Sequence, residues 1–380
     1  MKIKLLQAFL LVLLFFGCNT SYKDSKSSTL EEPNTLFIIK DELTKINYSE
    51  VFDSVKYVVL DTSDDILLSE VTRLKCLDSC IYVLDERTQT LFSFSMNGKM
   101  NWKIQDKGRG PDEYYQLRDF DIDCNKKEIY LFSTYDKILV YNFEGDFLHA
   151  VPVKLSGSSF AINSDTMYMY NGGNKNPTGG MDESFDIIRI TADQKLKGYM
   201  PNENALKTVN IYYNSNAFCK VNNELRFYKP FSTNIYSIAN DTSNIQYRFD
   251  FGEYNMPESY FDEHTPRDLG DSKYAFALNS YWENNRYCSF NIIYNQQFHT
   301  ILYNKNNNVL HDSFYDDLGY CFPQIHEATD EYVLGCRSVE ELMMEYKFKK
   351  EDRKGTVLES VISQIGEDSN PVVFFYYFKK

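Results

Sequence analysis

Catalytic and metal-binding signatures are what this sequence has least of. Its five histidines (His149, His264, His299, His311 and His326) show no H-x-x-x-H or H-E-x-x-H spacing, so the two-histidine helix of a zinc hydrolase is excluded. No G-x-S-x-G occurs, which removes the nucleophile elbow of an α/β-hydrolase. Its eight cysteines contain no C-x-x-C pair, so a structural zinc site has no support. Positive charge is also short: 40 Lys and Arg face 54 Asp and Glu, a net charge of −14. Phosphate backbones need clustered Lys and Arg, so a nucleic-acid partner is excluded. No cofactor and no metal is expected.

What the sequence has in excess is Tyr and Phe, 30 and 28 against 2 Trp. Such side chains suit pleated, buried surfaces, which points to a β core rather than to a carbohydrate platform. The N-terminus carries an address. Lys2 and Lys4 precede a 12-residue apolar run from Leu5 to Phe16, shorter than the roughly 20 residues that span a bilayer. FFGCNTS follows, with Gly17 just before Cys18. Residues 1–17 read as a signal peptide, Cys18 as a lipidation site, and residues 18–40 as a lipidated flexible tether rich in Ser and Thr. Residues 41–380 form the folded part. Setting Cys18 aside leaves an odd number of cysteines; Cys76 and Cys80 flank a tight turn and could pair across it.

Residues 80–100 (CIYVLDERTQTLFSFSMNGKM) align with 128–148 (EIYLFSTYDKILVYNFEGDFL). Ile81-Tyr82 returns as Ile129-Tyr130 after 48 residues and Gly98 as Gly145 after 47. Each unit is a strand, a polar turn, an aromatic strand, a Gly turn and another strand. A period in the forties with about four strands per unit is that of propeller blades. Fainter hairpins follow at 166–170 with 185–190, 224–228 with 234–238, and 286–294 with 298–304. DSVKYVVL (53–60), EYVLGC (331–336) and PVVFFYYF (371–378) lack local partners, and 338–365 reads as a helical insertion. Pairing 371–378 with 331–336, and adding 53–60 outside, closes a six-bladed, all-β ring from both chain ends.

GRGPDEYYQLRDFDID, leading into EIYLF and KILVYN, resembles an NHL repeat. More closely, FDSVKYVVLDT, IYVLD with FSMNGK, GRGPDEY and NPVVFFYYF resemble the family of exported six-bladed β-propeller lipoproteins of unknown function in Gram-negative bacteria. That resemblance implies a fold and an exported, lipid-anchored address; Asn19, in place of the Asp that resembles an inner-membrane retention signal, points to the outer membrane, periplasmic or surface-facing. The resemblance transfers no catalytic residue.

Gly108-x-Gly110 is not a phosphate loop, because Pro111 and a strand follow instead of a helix. The two glycines are expected to allow a positive-φ turn between blades. Arg109, Asp112, Glu113 and Arg118 form the candidate binding set at the disc surface. Asp119, Asp121 and Asp123 share one face of a strand, expected to be solvated, and the EF-hand positions that follow hold Cys124 and Tyr130 instead of Gly and Glu. His326 and Glu327 should point to opposite faces. The function read from these residues is that of a binding or scaffold protein at the envelope, with an envelope protein or glycan as partner. The alternatives are a propeller enzyme acting on glycans or lactones at the channel mouth, and a sensor or assembly subunit.

Overall fold

Ile81 and Val83 pack with Leu334, Val373 and Phe375, while Tyr82 and Leu84 of the same strand pack with Phe120 and Leu131. A strand buried on both faces reads as a continuous apolar run. Here the two faces belong to the two neighbouring blades. In the computed structural model this arrangement repeats around a ring. The structure describes residues 34–38, 43–172, 180, 184–191, 193–201, 216–229, 232–239, 242–257, 259–265, 268, 271–277, 280–294, 297–315, 323–348 and 354–380.

Blade 1 comprises Arg73–Leu77, Cys80–Asp85, Thr90–Ser95 and Met100–Ile104, from the inner to the outer strand. Blade 2 comprises Leu117–Asp123, Glu128–Ser133, Lys137–Asn142 and Phe147–Pro152. Blade 3 runs from Ser159–Asn163 through Thr166–Tyr170 and Phe185–Ile190 to Leu196–Pro201. Blade 4 is Phe218–Val221, Glu224–Tyr228, Asn234–Ala239 and Thr242–Asp250. In blade 5 two short pieces, Phe276–Ala277 and Trp282–Glu283, both pair with Tyr287–Tyr294, and Gln297–Asn304 and Val309–Tyr315 follow. Blade 6 is Gln324–Ala328, Tyr332–Arg337, Val372–Phe378 and, outermost, Phe52–Val59. Each junction between neighbouring blades, including the one between blades 6 and 1, has its own apolar core. The fold is the six-bladed β-propeller, closed as the unpartnered strands at 53–60 and 371–378 require.

Three of the motifs that carry the resemblance meet at that closure. Gly98, at φ +84°, lies so close to Phe52–Val59 that a Cβ would stand 2.0 Å from the Val59 carbonyl oxygen. Asp61 N–H donates to Gly98 O at 2.8 Å. Asn370, buried, accepts from Leu68 N–H at 2.8 Å and donates to the carbonyls of Asp61 and Ile66, both at 2.6 Å. FDSVKYVVLDT, FSMNGK and NPVVFFYYF are therefore the hydrogen-bonded seam of the ring.

The helical insertion is Val339–Phe348 and Val357–Ile362. It buries Val339, Leu342, Leu358 and Val361 against blade 6. Thr356 caps the second helix by accepting from Glu359 N–H.

Two N-terminal strands escaped the sequence reading. Asn34–Phe37 pairs in parallel with Thr242–Asp250 at the edge of blade 4, and Thr44–Asn47 with Val309–Tyr315 at the edge of blade 5. The first lies inside the span assigned to the tether. Leu36 and Ile38 bury into the core between blades 4 and 5, so the folded part begins by Asn34. The signal peptide, Cys18 and most of the tether lie outside the described residues, as does most of the Gly-rich loop at 171–180. Cys76 and Cys80 are both free thiols. Asp78 and Ser79 form a two-residue turn with φ of 48° and 65°, so Leu77 faces Cys80 and Cys76 faces Ile81. The two thiols thus point to opposite faces of the sheet.

Candidate functional site

The GRGPDEY loop joins the outer strand of blade 1 to the inner strand of blade 2, and it is filled by its own side chain. Glu113 Oε2 accepts from the N–H groups of Arg109 and Gly110, both at 2.7 Å. A concavity of backbone N–H groups is an anion site, and here the anion is the chain's own carboxylate. Neither Gly108 nor Gly110 takes a positive φ, which corrects the expectation from sequence. Glycine at 108 is required by proximity: a Cβ there would stand 1.9 Å from Glu113 Oε2. The loop is also tied to its surroundings. Buried Tyr114 donates its hydroxyl to Gln89 O of blade 1 at 2.5 Å, and Lys137 Nζ donates to Gly110 O at 2.6 Å.

Of the predicted binding set, Glu113 is therefore committed to the loop and Arg118 pairs with Glu86 of blade 1. Arg109 and Asp112 are exposed. Tyr115 and Tyr135, 57% and 61% exposed, lie in loops on the same side of blade 2. If Glu113 is the loop's internal anion, Gly108→Ala and Glu113→Ala remove the same interaction. Each variant should cost about 2 kcal/mol, within the range for hydrogen bonds to a charged group. The double variant should cost little more than either, measured by urea unfolding; full additivity would contradict the assignment.

Asp119, Asp121 and Asp123 do share a face, but that face is buried, at 5%, 1% and 7% exposure. The expected solvated stripe is instead a set of latches. Asp119 Oδ2 accepts from Phe160 N–H at 2.7 Å and from the Ser159 hydroxyl at 3.2 Å. Asp121 Oδ2 accepts from Ile162 N–H at 2.7 Å and faces Lys220 Nζ at 2.9 Å, while its Oδ1 accepts from Lys75 Nζ at 2.5 Å. One carboxylate thereby ties the inner strands of blades 1, 2, 3 and 4. Asp123 accepts from the N–H groups of Asn125 and Lys126 and closes its own turn. Across the seam, Glu327 Oε2 of blade 6 accepts from Cys76 N–H of blade 1 at 2.9 Å. Among the described residues no cluster of three or more His, Cys, Asp or Glu is placed to hold a metal.

A cavity of about 60 Å³ opens between these inner strands. Arg73 and Lys75 of blade 1, Asp121 of blade 2, Lys220 of blade 4, and His326 and Glu327 of blade 6 line it. His326 and Glu327 both reach it, against expectation, because the strand register shifts between Ile325 and Glu327. An inserted residue re-aims the next side chain. Burial works against ionisation of Asp121, but the charges of Lys220, Lys75 and Arg73 outweigh it and hold the carboxyl well below the usual range. Burial pushes Asp119 and Glu327 up, with the nearby cations opposing. Burial, reinforced by the Arg73 charge, pushes His326 down to about 4. The cavity thus sets Arg73, Lys75 and Lys220 around the Asp121 carboxylate, with Glu327 and a neutral His326 imidazole beside them.

Arg73, Lys75, Lys220 and His326 were not singled out from sequence. The 48-residue repeat does not reveal them, because the turn after the inner strand is longer in blade 2: Arg73 and Lys75 pair with Leu84 and Tyr82 as Asp119 and Asp121 pair with Phe132 and Tyr130, so the equivalent inner-strand residues are offset from the repeat.

The sequence pattern of a family described as a domain of unknown function (DUF4934) matches residues 35–377. No curated protein matches the chain. Among solved structures, a Bacteroides fragilis protein described as exported superposes with a TM-score of 0.73 at 20% identity, over 91% of this chain and 100% of that one. A member of the DUF4221 family from Bacteroides vulgatus superposes with a TM-score of 0.51 at 11% identity, over 87% of this chain and 98% of that one. At these identities the likeness is one of fold.

Proposed function

The chain belongs to the DUF4934 family, and within that family we propose that it is an exported, lipid-anchored binding protein of the cell envelope. The observation that carries this reading is the state of the carboxylates around the channel. Asp119, Asp121, Asp123 and Glu327 each accept hydrogen bonds from backbone N–H groups, and Asp121 also holds two lysines. A general acid or a nucleophile needs a carboxylate that can reach a substrate, and these are committed to the ring. The loop face around the channel mouth, with Tyr115 and Tyr135 exposed on it, is the working surface for an envelope protein or glycan. The test uses the full chain in detergent with chromogenic glycosides and lactones. Binding without turnover is expected; turnover that disappears with Asp121→Asn or Glu327→Gln would replace this reading with an enzyme.

The address has its own test. Lipidation at Cys18 after removal of residues 1–17 would put the protein in the outer membrane, since Asn19 is not the Asp of an inner-membrane retention signal. The export ascribed to the Bacteroides fragilis protein of like fold supports export of this chain. Wild-type protein should sediment with membranes and be released by detergent. Cys18→Ala should stay unprocessed; a Cys18→Ala chain that is still cleaved and still membrane-bound would rule out the lipid anchor.

A further inference from the structure

Among the described residues, the seam and the carboxylate latches leave the buried Arg73 guanidinium with an ion-pair neighbour but without hydrogen-bond acceptors at two of its nitrogens. Arg73 opens the inner strand of blade 1 and is 4% exposed. Among the described residues, neither its Nε nor its Nη1 has a hydrogen-bond acceptor. The nearest carboxylate oxygen, Asp119 Oδ1, stands 3.7 Å from Nε, beyond hydrogen-bond range. That oxygen accepts from Phe120 N–H at 2.8 Å, and Oδ2 is taken by Phe160 N–H and the Ser159 hydroxyl. Asp119 is therefore held by Phe120, Phe160 and Ser159 with its Oδ1 short of hydrogen-bond contact with the guanidinium. Folded proteins leave few buried polar groups unmatched, and a charged one is the costliest to leave.

The side chain lines the cavity of about 60 Å³ together with Lys75, Lys220, His326 and the carboxylates of Asp121 and Glu327, both of which already accept from backbone N–H groups. Lys75 and Lys220 both lean on the one carboxylate of Asp121, so three cations converge on this space. A metal ion would be repelled. The volume accommodates roughly four to six water-sized groups, which matches a tetrahedral oxyanion and is too small for a sugar or peptide. Arginine presents its N–H groups as a planar fork suited to two oxygens of one anion.

We propose that the channel cavity binds a single small oxyanion of phosphate or sulfate size, with Arg73 as the principal ligand and Lys75 and Lys220 completing its charge. The site goes beyond the envelope-binding role: a null result here leaves docking on the disc face intact, and loss of disc-face binding leaves this cavity unchanged. It differs from the GRGPDEY loop, whose anion is Glu113.

The test is calorimetric titration of the full chain in detergent with inorganic phosphate and, separately, sulfate. Ionic strength is held constant with chloride. The expected result is one saturable site per chain, with Arg73→Gln weakening it at least tenfold and Lys220→Gln severalfold. No saturable heat from the wild type with either oxyanion would overturn the proposal, as would equal affinity in Arg73→Gln. Should Arg73→Gln fail to fold, Lys220→Gln decides, because that lysine is 39% exposed at its side chain; unchanged affinity there would also overturn it.

Discussion

Removal of residues 370–380 is expected to abolish cooperative unfolding altogether. The strand Val372–Phe378 is hydrogen-bonded on one side to Tyr332–Arg337 and on the other to Phe52–Val59. It is the third of four strands in the blade that closes the ring, so its loss strands the outermost strand and opens two edges. Phe374, Phe375, Tyr376 and Phe378 are all buried. Losing one large aromatic from a core costs about 3–5 kcal/mol, and a domain's whole stability is about 5–15 kcal/mol. Asn370 goes with them, which leaves Leu68 N–H and the carbonyls of Asp61 and Ile66 without their partner. Circular dichroism and a thermal melt of the truncated chain check this. A cooperative transition near the full-length temperature would show that the ring does not depend on its seam.

Asp121→Asn should be the most damaging conservative substitution at the centre of the ring. The amide keeps the shape and can still accept from Ile162 N–H, but it removes the carboxylate that Lys75 and Lys220 both face. Breaking a buried pair from one side costs about 3–5 kcal/mol; because Lys220 is partly exposed, the lower end is expected. Lys75→Met in the same chain should recover part of the loss, since it removes the orphaned cation. The pH dependence has a definite sign. The folded Asp121 carboxyl lies below its ordinary range, near 4 in an unfolded chain. Its contribution is therefore complete above about pH 4 and lost as pH falls through the folded value. The stability gap between wild type and Asp121→Asn should be constant from about pH 8 to 5 and shrink below about pH 4. Asp119 and Glu327 are pushed up chiefly by burial, which the substitution leaves in place, and least by the Asp121 charge, so most of their opposite-sense contribution is common to both proteins. A gap that widens on acidification would contradict the assignment of Asp121 as the ionised hub.

Blades 1 and 2 were legible because burial on both faces writes itself into sequence. IYVLD and IYLFS have no polar face to blur the pattern, and their turns recur at the same spacing. Ring closure was legible from a deficit: two strong strands, 53–60 and 371–378, had nothing nearby to pair with. The centre was not legible, for two physical reasons. It is assembled from inner strands far apart in sequence, so Lys75, Asp121, Lys220 and His326 have no spacing to detect. Register shifts at Arg118 and His326 also break the alternation that assigns side chains to faces. Alternation correctly put Asp119, Asp121 and Asp123 on one face, yet nothing in it tells a channel wall from a wet surface. The strand Asn34–Phe37 was missed because four residues after a Ser/Thr-rich stretch carry too little pattern, and its partner lies some two hundred residues away in sequence. Gly108 drew attention correctly, though the constraint on it is the nearby Glu113 carboxylate and not its φ.

The most direct measurement is anomalous diffraction from crystals of the protein soaked in selenate or tungstate. The account predicts a single strong peak in the channel cavity, with oxyanion oxygens within about 3.2 Å of the Arg73 guanidinium and Lys75 and Lys220 turned toward it. A cavity holding water alone, with Arg73 Nε bonded to Asp119 and the anion bound elsewhere on the disc, would contradict it.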